Sequence, residues 1–422
     1  MSVLSENIKT NWVFGSPLPF AEAPWARGCP SPYYKESHRR LRQAMRAWVD
    51  KHLLPHVQDW EIAATLPDGL YEQAAKDGLL MPMASGAKVH PEWKGKYPII
   101  GDVPADEWDG FHDLIIHDEF GRIGGIGVEN GLVGGVTLAV PALQKFGSEK
   151  LKKTVVHDIL SGRARIALAI TEPEAGSDVQ GLQTEARLSD DGSHFIVNGQ
   201  KKWITSGMYS NYFLALVKET TGDMTLLVIP RTEGLTTRHM TMSGSTAAGT
   251  AFVDLDNVRV PIDMVVGERG KGFKYIVSNF NHELRIEPRD LWEEARRASF
   301  KFANMSRETE ALQSWIESLI YQLSQLAPAE ADLLLAGTTA QLKAHSGIVL
   351  EHVVREAVQI LGGIGLTRGG RGERVERIWR DVKAITVPGG SEEILLDLAT
   401  RRALKISDEL RLVTGKGVKS RM

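Results

Sequence analysis

Two short stretches carry residue types arranged for chemistry. In Ile170-Thr171-Glu172-Pro173-Glu174-Ala175-Gly176-Ser177-Asp178 an apolar strand ends at Thr171 and a proline-fixed turn follows. Gly176-Ser177-Asp178 then presents backbone N–H groups and a hydroxyl in a tight loop, which suits an acceptor-rich ring or a phosphate. Taken alone, the segment equally suits an ordinary strand-to-loop transition. Downstream, Lys202-Trp203-Ile204-Thr205-Ser206 sets an aromatic ring and a hydroxyl at the end of a second strand. Other chemistries find no footing. His-Glu-x-x-His is absent, and Pro55 lies between His52 and His56, which argues against zinc. There is no Gly-x-x-x-x-Gly-Lys phosphate loop, no Gly-x-Ser-x-Gly elbow and no Gly-x-Gly-x-x-Gly fingerprint. The runs Gly124-Gly125-Ile126-Gly127 and Gly362-Gly363-Ile364-Gly365 are spaced as helix ends or close helix packing.

The surrounding chain must place these stretches. Its 422 residues are 42% hydrophobic and 24% charged, the profile of a folded chain with a core that needs no staples. A net charge of −3 gives no footprint for nucleic acid or an anionic membrane. The single cysteine, Cys29, excludes intrachain disulfides and cysteine-rich zinc modules, and no metal is expected. Residues 30–163 read as a helical domain, with Leu41, Ala44, Met45, Trp48 and Val49 at helical spacing and Pro55 ending the run. Inside it, 81–108 is rich in Gly, Pro and Trp and reads as a surface insertion. Residues 164–270 switch to short strands, with an Asn198-Gly199 turn signal, and read as an antiparallel β-domain. Residues 271–412 are helical again, and Pro328 suits the first turn of its helix. Helices, then strands, then helices argue an α+β fold rather than a parallel α/β sheet.

Address signals are few. The longest weakly polar run, Gly131 to Leu143, is too short to span a bilayer, so no membrane span is expected. The N-terminus has neither a secretory nor a mitochondrial layout. The chain ends Ser420-Arg421-Met422, a variant of the small–basic–apolar peroxisomal address, which leaves a peroxisomal or cytoplasmic location as the expectation.

In order and spacing, the two chemical stretches together resemble those of the acyl-CoA dehydrogenase family. The resemblance implies an FAD-dependent oxidoreductase of fatty acid metabolism or β-oxidation, with a helical N-terminal domain, a β-domain and a C-terminal helical bundle. It implies α,β-dehydrogenation of an acyl-CoA thioester, a homodimer or homotetramer, and an electron-transfer flavoprotein or oxygen as acceptor. By the same resemblance Ile170 and Thr171 would bond the pyrimidine edge of the flavin. Gly176 and Ser177 would lie near the pyrophosphate, and Ser177 also near the acyl-pantetheine chain. Trp203 would shield the ring beside Ile204, and Thr205 would bond near the nitrogen that accepts hydride. Ala357-Val358-Gln359-Ile360-Leu361-Gly362-Gly363 is similar to the helix end that receives the neighbouring subunit's FAD, through Gln359, Gly362 and Gly363. Gly389-Gly390-Ser391-Glu392-Glu393-Ile394 is similar to the run into the last helix, with Ser391 and Glu393 on the cofactor side.

That chemistry needs a carboxylate across the substrate from the flavin and donors on the thioester oxygen. In many members the Glu precedes the Gly-Thr/Ser pair of the late loop, where this chain has Gly389. A minority, such as isovaleryl- and long-chain acyl-CoA dehydrogenases, carry it on the helix after the β-domain. There Ser278-Asn279-Phe280-Asn281-His282-Glu283 supplies Glu283 as the expected base, with Asn281, Arg285 and a backbone N–H near Gly389 on the substrate. The chain then departs from the family. Leu284 stands where Arg is usual, Pro288 interrupts an expected helix, and Asn304 runs directly into Met305-Ser306-Arg307-Glu308. The Arg-x-x-Phe-Gly segment has no counterpart, so the C-terminal domain reads as shortened near 304–308. Two other functions fit: a flavin acyl-CoA oxidase or specialised desaturase, or a catalytically impaired homologue serving as a binding or structural subunit.

Overall fold

A computed structural model describes residue 16 and residues 21–176, 178–277 and 299–414. Helix α1 (Glu36–His52) turns Leu41, Met45, Trp48 and Val49 into the core, as their spacing requires. It is followed by α2 (Val57–Ala63), α3 (Leu70–Lys76), α4 (Leu80–Ser85) and α5 (Gly110–Gly121). Asp109 caps α5, accepting the N–H groups of Phe111 at 3.0 Å and His112 at 3.2 Å. The rings of His38 and His112 stack beside it, 3.7 Å apart. The Lys35 N–H donates to His38 Nδ1 at 2.8 Å, so His38 Nε2 is the donor to Asp109 Oδ1 at 2.9 Å. The three donor atoms lie within 4.8 Å, close enough for a cation, but hydrogen bonding within the protein already engages them.

The segment expected as a surface insertion is a packed one. Val89, Trp93, Ile100, Val103 and Trp108 are buried, and the Trp108 indole N–H donates to the Gly86 carbonyl at 2.8 Å. Its Gly and Pro content concealed two tryptophan anchors. Helix α6 (Ile126–Phe146) is continuous over 21 residues through a π-helical turn at Asn130–Gly134. It is longer than the Gly131–Leu143 run, and long and apolar enough to cross a membrane. Yet 78% of its most apolar window is buried inside the protein, as in a core helix. A last helical stretch, α7 (149–160), leads into the sheet.

Seven strands follow: β1 (Ile166–Ala169), β2 (Glu185–Leu188), β3 (His194–Ile204), β4 (Tyr212–Glu219), β5 (Met224–Pro230), β6 (Leu235–His239) and β7 (Ala251–Pro261). They form one sheet in the order β1-β4-β2-β3-β7-β6, with β5 also on β4. The pairings are antiparallel except that β4 runs parallel to both β1 and β2. One face buries its own core of Phe195, Val197, Phe213, Val217, Val253 and Val258. The other packs Leu214, Leu216, Leu226 and Val228 onto the helices.

After α8 (Gly272–Val277) come α9 (Ser299–Gln325), α10 (Pro328–Leu361), α11 (Glu373–Thr386) and α12 (Glu392–Thr414). Helix α10 packs against the other three of these four. The shortening expected near 304–308 falls inside α9, which is unbroken there. Residues 278–298, just ahead of it, lie outside the described residues.

The three regions are joined by buried carboxylates. Asp381 of α11 accepts the Ser245 N–H at 2.6 Å on one oxygen and the Ile126 N–H at 3.2 Å on the other. Glu61 of α2 accepts the Ala247 N–H at 3.0 Å and the Thr246 hydroxyl at 2.6 Å. A side chain on Gly244 would sit 2.5 Å from Asp381 Oδ1, so this approach requires glycine. Burial first, then the facing charge of Glu61, push the Asp381 carboxyl up to about 7. The folded state therefore holds this proton more tightly than the unfolded chain does. Stability from Asp381 is complete below its ordinary value of 3.8 and is lost as pH rises through about 7. Urea denaturation across pH is expected to show this group as a falling slope of about 1.4 kcal/mol per pH unit between those values. Asp381→Asn should remove that contribution whatever it does to absolute stability; an unchanged slope would contradict the assignment.

Candidate active site

Where the three regions meet, the structure forms an open-sided cavity of about 400 Å³. Asn130 and Leu138 of α6 form one wall, and Trp203 and Thr205, at and just beyond the end of β3, form a second. The loop between β6 and β7 adds Met242, Ser245 and Thr250. Helix α10 contributes Lys343, Ser346, Gly347 and Glu351, and the α11–α12 junction contributes Thr386, Pro388, Ser391 and Glu393. Two lining residues, Trp203 (φ +57°) and Ser245 (φ +55°), are left-handed, a conformation that costs about 1 kcal/mol or more without glycine. Such strain persists where surrounding bonds fix the backbone, as Asp381 does at Ser245.

Beneath the β3 wall lies a buried ion pair. Lys201 is fully buried, and its three ammonium donors meet three acceptors: Leu216 O at 2.6 Å, Glu172 Oε1 at 2.7 Å and Ile170 O at 3.1 Å. Glu172 also accepts the N–H groups of Gln183 at 2.5 Å and Thr184 at 3.1 Å. The Lys202 N–H donates to Thr171 O at 2.9 Å. Residues 170–172 are thus held, one after another, by residues 201–202. Burial opposes the charge on both partners; it pushes the Lys201 ammonium down, whereas Lys201 and the N–H donors hold the Glu172 carboxyl below its usual range. Lys202 lies 4.5 Å over the Trp203 ring.

Of the expected site residues, Trp203, Thr205, Ser391 and Glu393 come together around the cavity. The Glu393 carboxyl, held below its usual range by its own N–H and the Ser391 hydroxyl, is exposed. Ile204 turns away into the β-domain core beside Phe195 and Val197, because an irregularity between Lys201 and Ile204, where Trp203 is left-handed, resets the alternation of the strand. Ile170 is buried, Thr171 half-buried and Gly176 exposed beside the β3 wall. Gly389 is exposed next to Pro388, whose carbonyl takes a 3.0 Å hydrogen bond from Lys343. Gln359, Gly362 and Gly363 do not line the cavity; they are exposed at and just beyond the end of α10. Ser177, Asn281, Glu283 and Arg285 lie outside the described residues.

Sequence reasoning missed Lys201, Asp381, Glu61 and Lys343. Lys201 was within reach: Phe195 and Val197 set the inward parity of β3, and Lys201 shares it. A lysine on an inward face demands an acid, and Glu172 stands in the adjacent motif.

The cavity fits a planar polar ring system. Its volume lies in the ordinary range for ligand sites, an indole forms one wall, and the hydroxyls of Thr205, Ser245, Thr250 and Ser391 line it. The wall from α6 depends on close approach to the sheet, since a Cβ on Gly135 would lie 1.7 Å from the Ile166 carbonyl oxygen. Gly135→Ala is expected to cost at least 1–3 kcal/mol, the roughly typical penalty of overpacking. Thermal denaturation checks this, and an unchanged Tm would contradict the contact.

Known proteins resemble this chain along most of its length. The N-terminal, middle and C-terminal domains of the acyl-CoA dehydrogenase family match residues 35–163, 167–258 and 295–404. The acyl-CoA dehydrogenase apdG of Emericella nidulans is 38% identical, over 93% of this chain and 96% of its own. The acyl-CoA dehydrogenase AFT10-1 of Alternaria alternata is 34% identical, over 92% of this chain and 96% of its own. The solved acyl-CoA dehydrogenase from Geobacillus kaustophilus superposes with a TM-score of 0.73 at 23% identity, covering 89% of this chain and all of that one, and shares the fold.

Proposed function

The chain belongs to the acyl-CoA dehydrogenase family of flavoenzymes, and we propose that it carries out FAD-dependent α,β-dehydrogenation of an acyl-CoA thioester. The observation that carries this reading is the cavity at the three-domain junction, lined by Trp203 and Thr205 on one side and Ser391 and Glu393 on another. Bound FAD would supply the acceptor for the β-hydrogen as hydride. Trp203 and Thr205 would hold the ring, with Ile170 and Thr171 at its pyrimidine edge and Gly176 and Ser177 towards the pyrophosphate. Gln359, Gly362 and Gly363 would meet the cofactor of a second copy in a homodimer or homotetramer, in keeping with their exposure.

The chain's own share of the reaction is polarisation and proton removal. A thioester α C–H is a weak acid, so donors on the carbonyl oxygen must stabilise the negative charge that develops as the proton leaves. A backbone N–H near Gly389 is assigned that role; the Lys343 bond to the neighbouring Pro388 carbonyl would fix the loop's orientation. Glycine at 389 leaves no carboxylate at the usual position, so Glu283 is assigned as the base that takes the α-proton. Asn281 and Arg285 are assigned to the acyl-CoA. Walls that exclude water would strengthen these interactions.

Electron-transfer flavoprotein or oxygen would accept the electrons in turn. A peroxisomal location would favour the oxidase variant, which needs no mitochondrial acceptor. Anaerobic titration with a panel of acyl-CoA thioesters is expected to bleach the flavin absorbance of the purified protein, and the reoxidation rate in air separates oxidase from dehydrogenase. Glu283→Gln should keep the flavin and slow bleaching by about 100-fold or more, the lower end of what a positioned base supplies. Bleaching at the wild-type rate would move the base elsewhere, first to Glu393. A flavin that no thioester bleaches would favour the impaired homologue.

A further inference from the structure

The pair Lys201–Glu172 is more than a fold device. A buried salt bridge is a weak source of stability, because desolvating two charges offsets most of their attraction and an apolar pair of similar size does as well. What distinguishes this pair is where its bonds go. Two of the three acceptors of the Lys201 ammonium, the Ile170 carbonyl and the Glu172 carboxylate, belong to the motif that leads out of β1. The strand carrying Lys201 continues directly to the cavity residues Trp203 and Thr205. Lys201 therefore binds one flavin motif to the other from behind. A cation on the Ile170 carbonyl also polarises the Ile170–Thr171 peptide, so that its N–H end becomes a stronger donor.

We propose that Lys201, oriented by Glu172, is a positioning residue that sets the electron affinity of the flavin site. This rests on the flavin reading above, in which Ile170 and Thr171 face the pyrimidine edge. Two-electron reduction places negative charge on that half of a flavin. A fixed cation behind the edge favours the reduced form, and the Glu172 carboxylate, turned towards the N–H groups of Gln183 and Thr184, tempers it. In the low-dielectric interior such charges are felt at longer range than in water.

The two partners therefore act with opposite sign. Lys201→Met leaves the Glu172 charge behind and should favour the oxidised flavin about tenfold, a drop of about 30 mV for a two-electron couple. Glu172→Gln leaves the Lys201 charge behind and should raise the potential. A merely structural pair would loosen the site in either variant and move both potentials the same way. The experiment measures flavin absorbance of wild-type protein with added FAD, then reduction potentials of wild type, Lys201→Met and Glu172→Gln at pH 7, with the Tm of each. Opposite shifts support the proposal. Shifts of the same sign, or none, in variants that still bind FAD overturn it and leave the flavin reading intact. Should Lys201→Met not fold, a potential in Glu172→Gln at or below that of wild type overturns it alone. Wild-type protein that takes up no FAD overturns the flavin reading and this proposal with it.

Discussion

The structure turns on one carboxylate that three domains share. Asp381 belongs to the C-terminal bundle, yet its oxygens accept N–H groups from the β-domain at Ser245 and from the start of α6 at Ile126. Glu61 approaches the same β-domain loop from α2. A buried acid left without partners would cost about 1–3 kcal/mol, so the domains are favoured to dock where one supplies the N–H groups that another's acid needs. That mutual requirement fixes where the domains meet. The cavity is the space left at their meeting point.

The same logic operates one layer away, under the β3 wall. Lys201 and Glu172 are affordable in the interior only because every ammonium donor has an acceptor. Satisfying them ties residues 170–172 to residues 201–202, and so binds the two motifs into one surface. The strained backbone at Ser245 is held by Asp381, and that at Trp203 follows directly on the Lys202 N–H bond to the Thr171 carbonyl. Polar interactions here set position, whereas the apolar clusters on the two faces of the sheet supply most of the burial.

Much of this was legible in the chain, for identifiable reasons. The α+β order followed from periodicity, and the family resemblance pointed to Trp203, Thr205, Ser391 and Glu393, which line the cavity. The bonds from Asp381 to Ser245 and Ile126 were not legible, since nothing local marks partners so distant in sequence. Trp93 and Trp108 were hidden by the glycines and prolines around them, which suggested a surface loop where the indoles are buried. The departure from the family's motif at 304–308 lies within continuous helix, which speaks to the path of the chain there and not to its length. The parallel pairings of β4 escaped notice, since alternation reveals a strand but not its neighbour's direction.

The central claim is that this junction holds a flavin against Trp203 and Thr205. A crystal structure of the protein grown with FAD tests it most directly. The isoalloxazine ring is expected within the cavity, its face on the Trp203 indole and its pyrimidine edge towards Ile170 and Thr171. Well-ordered protein with that cavity empty, or with FAD bound elsewhere, would contradict it.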